Sequence, residues 1–184
     1  IVAAIEEGRA VFENIRKNQT TVDVLNPGFS VATGEITSKG SEIDLGFSVT
    51  DNWQVIAAVG FQKAEITKDN TVANVGLEQP NVPNQMASLW TKYVFGNGAA
   101  KGLSIGLGVN YVGDRAGQRD SVLRPFTLPG YTIANVLISY GQGKNKYALN
   151  VENLTDERYI MNGQARLADP GEHRTFRFTY TRNF

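Results

Sequence analysis

The stretch Arg174-Thr175-Phe176-Arg177-Phe178-Thr179-Tyr180-Thr181-Arg182-Asn183-Phe184 decides how this chain is to be read. Phe176, Phe178 and Tyr180 recur at every second position, so in an extended strand they share one face. Thr175, Arg177, Thr179 and Thr181 take the other face, and the sequence finishes on the aromatic Phe184. A strand that is greasy outward, polar inward and aromatic at its end suits a transmembrane β-barrel at its lipid interface.

Working back from that stretch, the same alternation persists. Leu103, Ile105, Leu107, Val109 and Tyr111 are opposed by Ser104, Gly106, Gly108 and Asn110. Trp53, Val55, Ala57, Val59 and Phe61 follow Ile43, Leu45, Phe47 and Val49 after a tight Asp51-Asn52 turn. With segments near 11–20, 87–95, 131–140 and 147–159, the pattern predicts an all-β, antiparallel up-and-down meander of about eight strands. Each strand is expected to be about 9–11 residues long, enough to cross a bilayer when tilted. The parity of Leu149 and Val151 would turn Leu154 inward, so a bulge is expected at 153–155. On that reading Asn153, Asp156 and Arg158 shape the strand and do not touch a ligand.

Connections alternate in length. Those at 51–52, 96–102 and 141–146 are short or moderate, and those at 66–85, 113–130 and 160–174 are long. Outer-membrane barrels put short turns on the periplasmic side and long loops outside. Trp53, Phe95, Tyr140, Tyr147 and Phe184 lie at the short-turn end and are expected to form one membrane-interface girdle. Tyr111, Tyr131 and Tyr159 are expected to form the other.

Composition excludes several functions. Eighteen basic residues balance eighteen acidic ones, which removes the electrostatic case for nucleic acid. Cysteine is absent and His173 is the single histidine, so neither a thiolate nor a histidine metal centre is expected, nor any cofactor. No nucleophile elbow, phosphate loop or zinc-protease helix motif occurs, and the chain is read as not an enzyme. No run approaches the ~18 apolar residues of a membrane helix. No signal peptide opens the chain, from which the true amino-terminus is expected to be missing.

Residues 1–17 read differently from the rest. Ile1, Val2, Ile5 and Phe12 among Glu6, Glu7, Arg9 and Glu13 suggest a short amphipathic helix more than a strand.

Two motifs carry a family resemblance. Val151-x-Asn153-Leu154-x-Asp156-x-x-Tyr159, followed by a terminal strand ending in Phe, resembles the carboxy-terminal signature of TonB-dependent outer-membrane siderophore receptors. Gly28-Phe29-Ser30-Val31-x-Thr33-Gly34-Glu35 with Ser38-Lys39-Gly40-x-Glu42 resembles the same family upstream, within it the ferrichrome type. The resemblance implies residence in the bacterial outer membrane and uptake of a ferric siderophore driven through TonB. It also implies a TonB complex engaged by a missing amino-terminal region, lipid and lipopolysaccharide around the wall, and the barrel-assembly machinery as a partner. Residues 18–184 would be the carboxy-terminal part of the barrel. Residues 1–17 are similar to a segment of P-type cation pumps, so a chimeric or mis-assembled join is expected between 11 and 17.

A ligand-contacting patch is expected in the loop carrying Arg115, Gln118, Arg119, Arg124 and Phe126, a cationic cluster beside an aromatic. The plain alternative is a solvated loop. Three other readings stand beside the receptor: a self-contained eight-stranded barrel with a structural or adhesive role, a soluble lipocalin-like barrel, and a pump fragment. Gly46, Gly106 and Gly108 leave the polar face thin, which is expected to suit a wide lumen better than a small filled barrel.

Overall fold

The computed structural model describes residues 4–117, 126–164 and 167–184. In chain order the strands are β1 (Ala4–Val22), β2 (Ser30–Thr50), β3 (Trp53–Lys68), β4 (Gln85–Val94), β5 (Leu103–Val112) and β6 (Arg115–Ala116). β7 (Thr127–Leu128), β8 (Tyr131–Gln142), β9 (Asn145–Glu152), β10 (Ile160–Gln164), β11 (Leu167–Pro170) and β12 (Thr175–Arg182) follow. Eight of them form one antiparallel sheet in the order β1-β2-β3-β4-β5-β8-β9-β12. β6–β7 and β10–β11 are small hairpins within the long loops. The meander inferred from the alternation is therefore the observed one. β1 and β12 are the sheet's edges, and no ladder joins them among the described residues.

The two faces follow from the register. The cross-strand row Trp53–Tyr93–Ile105–Ile138–Leu149–Phe178 is aromatic and aliphatic throughout. This face is open: Leu107 is 51 % exposed, Phe178 68 % and Phe176 65 %. On the opposite face Ser104 is only 8 % exposed. Among the described residues the buried hydrophobic side chains are Ala64, Leu128 and Val151, and no large side chain is fully enclosed. Folding in water normally withdraws Leu, Ile and Phe from solvent, at about 25 cal/mol per Å². Here they line a contiguous outer face, which is the arrangement of a sheet solvated by hydrocarbon. The soluble lipocalin-like reading, which needs these residues inside, fails on that observation.

The height of the greasy band also fits. Trp53 to Phe61 covers about 27 Å along the strand, or about 20 Å at a ~40° tilt, against a ~25 Å apolar band in such barrels. Beyond it the outward face turns ionic. Lys39 pairs with Glu13 at 3.0 Å and Lys63 with Glu65 at 2.6 Å. This accounts for the length of β1, β2 and β3, which run 19, 21 and 16 residues instead of the expected 9–11. Their upper parts form a charged wall above the apolar band.

Residues 4–17 are strand, and the helical expectation is corrected. β1 pairs with β2 from Ala4↔Ser48 to Val22↔Ser30, interrupted only near Asn18, which has a φ of 59°. A ladder of that length outweighs a weak helical periodicity. Its outward positions keep the odd character seen in the sequence. Glu7 and Arg9 form an ion pair on the apolar face, opposite Leu45 and Ile43.

The polar face corrects the role expected of its glycines. Trp90 pairs with Gly108, and its indole lies across Gly106 and Gly108. A Cβ at Gly108 would sit 2.5 Å from Trp90 Cε3, and one at Gly106 2.7 Å from Cζ2. These glycines seat an aromatic; they are not empty wall. Gly108→Ala is expected to cost about 1–3 kcal/mol through overpacking. Gly141→Ala, whose Cβ would meet nothing within 4 Å, is expected to leave the denaturation midpoint unchanged. Equal midpoints for the two variants would remove Trp90 from that seat.

Candidate functional site

The tight turns, Asp51-Asn52 and Gly143-Lys144, lie at one end of the sheet with the 95–102 connection, and the long connections lie at the other. At the tight-turn end the structure brings the expected aromatics together. Trp53 Nε1 donates to Thr91 Oγ1 at 2.7 Å, and Tyr140 stands opposite Tyr147. Phe95 meets Tyr93 edge-on at 4.9 Å between centroids, and Tyr147 stacks on Tyr180 at 5.2 Å. Phe184 is fully exposed. Tyr93 and Tyr180 belong to this row and were not assigned to the girdle from the sequence, although their parity marks them.

The long-loop end is where a ligand could be held. Its three larger connections, 69–84, 113–130 and 153–174, are tied together by residues distant in sequence. In the middle loop β6 pairs with β7, Gly117 N donates to Phe126 O at 2.9 Å, and Gly130 N donates to Asp114 Oδ1 at 2.6 Å. Arg115 leaves this hairpin sideways and is only 3 % exposed. Its Nη2 donates to Ile160 O and, at 2.7 Å, to Met161 O, and its guanidinium lies 5.5 Å from the Tyr131 ring centroid. Tyr131 in turn packs on Tyr159 at 4.2 Å. A buried guanidinium is tolerable only with acceptors and an aromatic face of this kind.

Asn81 closes the triangle. Held at a φ of 62°, it donates its N–H to Ala116 O at 2.7 Å and accepts from Gly163 N at 2.9 Å through Oδ1. Leu128, 3 % exposed, packs where Gly163 has no side chain, and Phe126 packs over Gly117. The three loops therefore make one packed cap with a small core of its own. Tyr131 has the parity of Val112 and Met86 on the polar face, so it and Tyr159 serve the cap and not an outer girdle. Of the three tyrosines expected there, Tyr111 alone stays on the apolar face.

Asn153 anchors the last loop. β9 stops at Glu152, so the expected bulge is instead a turn with Asn153 and Asp156 at φ 51° and 55°. Asn153 is 3 % exposed and fully bonded. Its N donates to Asn135 Oδ1 at 3.0 Å, its Nδ2 to Glu157 O and Glu172 O, both at 2.9 Å, and its Oδ1 accepts from Glu157 N at 2.8 Å. Asp156 Oδ1 accepts from Arg174 N at 2.9 Å and meets His173 Nδ1 at 3.3 Å. The Arg174 N–H, then His173, hold the Asp156 carboxyl below its usual 3.8. With the folded value lowered, the stabilisation is present above the unfolded value and is lost as pH falls through the folded one. Hydrogen exchange at Arg174 N is expected to stay flat from pH 8 to 5, after correction for intrinsic rates, and to rise only below about 3.8. Asp156→Asn should abolish that dependence.

Of the expected ligand residues, Arg115 and Phe126 come together in this cap, while Gln118, Arg119 and Arg124 lie outside the described residues. Arg115 is committed to the neighbouring loop and is not part of a solvated patch. No group of three or more His, Cys, Asp or Glu that could hold a metal occurs among the described residues.

Comparison with known proteins gives the arrangement a context. Residues 10–154 match the family model for the TonB dependent receptor-like β-barrel. The chain is 36 % identical over 177 residues to the metal-pseudopaline receptor CntO of Pseudomonas aeruginosa, covering 95 % of this chain and 25 % of that protein. It is 32 % identical over 156 residues to the ferrichrome outer membrane transporter/phage receptor of Escherichia coli, covering 82 % and 20 %. The crystal structure of the ferric-catecholate import receptor Fiu from E. coli superposes with a TM-score of 0.78 at 29 % identity, covering 98 % of this chain and 25 % of that one. The chain thus spans about a quarter of the length of the relatives it matches.

Proposed function

The chain belongs to the TonB-dependent receptor β-barrel family of the bacterial outer membrane, and from that premise we propose that it is the carboxy-terminal part of a receptor that takes up ferric siderophores, energised through TonB in the full-length protein. The family is one of receptors and not of enzymes. The open apolar face carries this reading, because Leu107, Phe176 and Phe178 stand uncovered on one continuous aromatic and aliphatic face, as a sheet bathed in lipid requires. The two unjoined edges, β1 and β12, favour a wall segment over a self-contained eight-stranded barrel.

In this reading lipid and lipopolysaccharide surround the outward face, with Trp53, Phe95, Tyr140, Tyr147 and Phe184 at the periplasmic interface. The barrel-assembly machinery inserts the chain, and TonB engages a part of the receptor outside these residues. The cap faces the medium and meets the chelate, with Arg115, Gln118, Arg119, Arg124 and Phe126 in or beside the contact region; a chelate of the ferrichrome type is the finer assignment. The foreign segment expected over 1–17 is narrowed to the residues before 10, where the family match has not begun and Glu7 and Arg9 put charge on the apolar face.

Uptake of radiolabelled iron chelates by iron-starved cells tests the proposal. Loss of uptake on deleting the gene, and equal loss in a tonB background, is the expected result. Undiminished uptake of every chelate in the deletion strain would overturn it.

A further inference from the structure

A cavity of about 510 Å³ opens between the 69–84 loop and the β6–β7 hairpin, on the face that carries Ile66. Small-molecule sites fall at about 300–1,000 Å³. Its wall joins apolar Phe126 to the polar groups of Glu78, Asn84, Asp114 and Thr127, with Arg115 beside them. Among the described residues each carboxylate is held in place by one oxygen. Asn84 Nδ2 donates to Glu78 Oε1 at 3.1 Å, and Gly130 N donates to Asp114 Oδ1 at 2.6 Å. Each keeps its second oxygen unpartnered among the described residues. Arg115, although 3 % exposed, has an Nη1 without an acceptor among the described residues. A buried N–H left in that condition is costly. The cavity thus pairs an apolar surface with a buried donor and two rim carboxylates.

We propose that this cavity is a charge-selecting subsite for the chelate, resting on the receptor reading above. It takes a portion that offers amine or amide N–H groups to Glu78 and Asp114 and an oxygen to Arg115. Neutral and cationic hydroxamate chelates fit that set. A trianionic ferric tris-catecholate is disfavoured, since among the described residues the two carboxylates of the cavity outnumber its one guanidinium, Arg115, and like charges brought together out of water repel strongly.

The test compares chelates differing in charge, by fluorescence-quenching titration on the purified full-length receptor that carries this chain. The probes are a linear ferric trihydroxamate with a free terminal amine, the same molecule N-acetylated, and a ferric tris-catecholate. The amine form is expected to bind at least ten-fold tighter than the acetylated form, and the catecholate more weakly than either. Glu78→Gln with Asp114→Asn, each keeping an acceptor oxygen for its present bond, should bring the amine and acetylated forms within two-fold. Unaltered heat-modifiable mobility of the double variant shows that its fold survives, and a variant that fails this control is replaced by Glu78→Gln alone. Binding of the hydroxamates with the ranking unaffected by these substitutions would overturn the subsite while leaving the receptor reading intact. Failure of all the chelates to bind, or to enter cells, would overturn both.

Discussion

Leu107→Arg is expected to destabilise the membrane-inserted fold by about 2–4 kcal/mol, the cost of a cation near the bilayer midplane on a barrel's lipid face. That corresponds to a ~30-fold to ~1,000-fold change in the unfolding equilibrium. Leu107 is 51 % exposed on the apolar face, between Thr91 of β4 and Val136 of β8, with no partner for a guanidinium. Asn110→Arg, on the polar face between Ser88 and Ile133, is the matched control and should cost less than about 1 kcal/mol. Urea titration in phospholipid vesicles measures both. Similar costs at the two positions would mean that the faces do not meet different solvents.

The second large effect is expected at Asn153. Replacement by Ala removes three side-chain hydrogen bonds, to Glu157 O, Glu172 O and Glu157 N, and keeps the backbone N–H bond to Asn135 Oδ1. The loss leaves carbonyls of Glu157 and Glu172 and the N–H of Glu157 without this partner, at about 1–3 kcal/mol for each group that water cannot reach. Alanine also tolerates a φ of 51° less well than asparagine, adding about 1 kcal/mol. Asn153→Ala should therefore cost about 3 kcal/mol or more. Asn153→Gly, which relieves the backbone while losing the same bonds, should cost about 1 kcal/mol less. If both variants unfold with the wild-type midpoint, Asn153 does not anchor the loop.

How much of this was legible in the sequence depended on the range of the interaction. The faces of β3, β5 and β12 could be read because their period of two is local and one face has a single solvent. The Asp51-Asn52 turn was equally plain. β1 could not be read with confidence from its own residues, since Glu7 and Arg9 contradict the outward face and its pairing with β2 supplies the missing information. The overshoot of β1–β3 was hidden because Glu13, Lys39, Lys63 and Glu65 look like loop residues until the Glu13–Lys39 pair across β1 and β2 and the Lys63–Glu65 pair along β3 are seen.

The cap was the least legible part. Arg115 was picked out for its charge, but its partners Ile160 and Met161 are backbone carbonyls, which carry no residue signal. Asn81 was passed over, although an asparagine between Pro80 and Pro83 is the kind of residue that adopts a left-handed turn. Trp90 was not singled out, although its parity against Leu89 and Thr91 turns it inward, and its seat on Gly106 and Gly108 needs the register of β4 against β5.

Site-directed spin labelling along β3 tests the central claim most directly, and the absence of native cysteine makes single labels clean. In lipid vesicles, labels at 55, 57, 59 and 61 should collide preferentially with oxygen dissolved in hydrocarbon, and labels at 54, 56 and 58, on the open part of the polar face, with a water-soluble nickel complex. A profile without this two-residue period, or with the odd positions shielded from both reagents, would contradict the account.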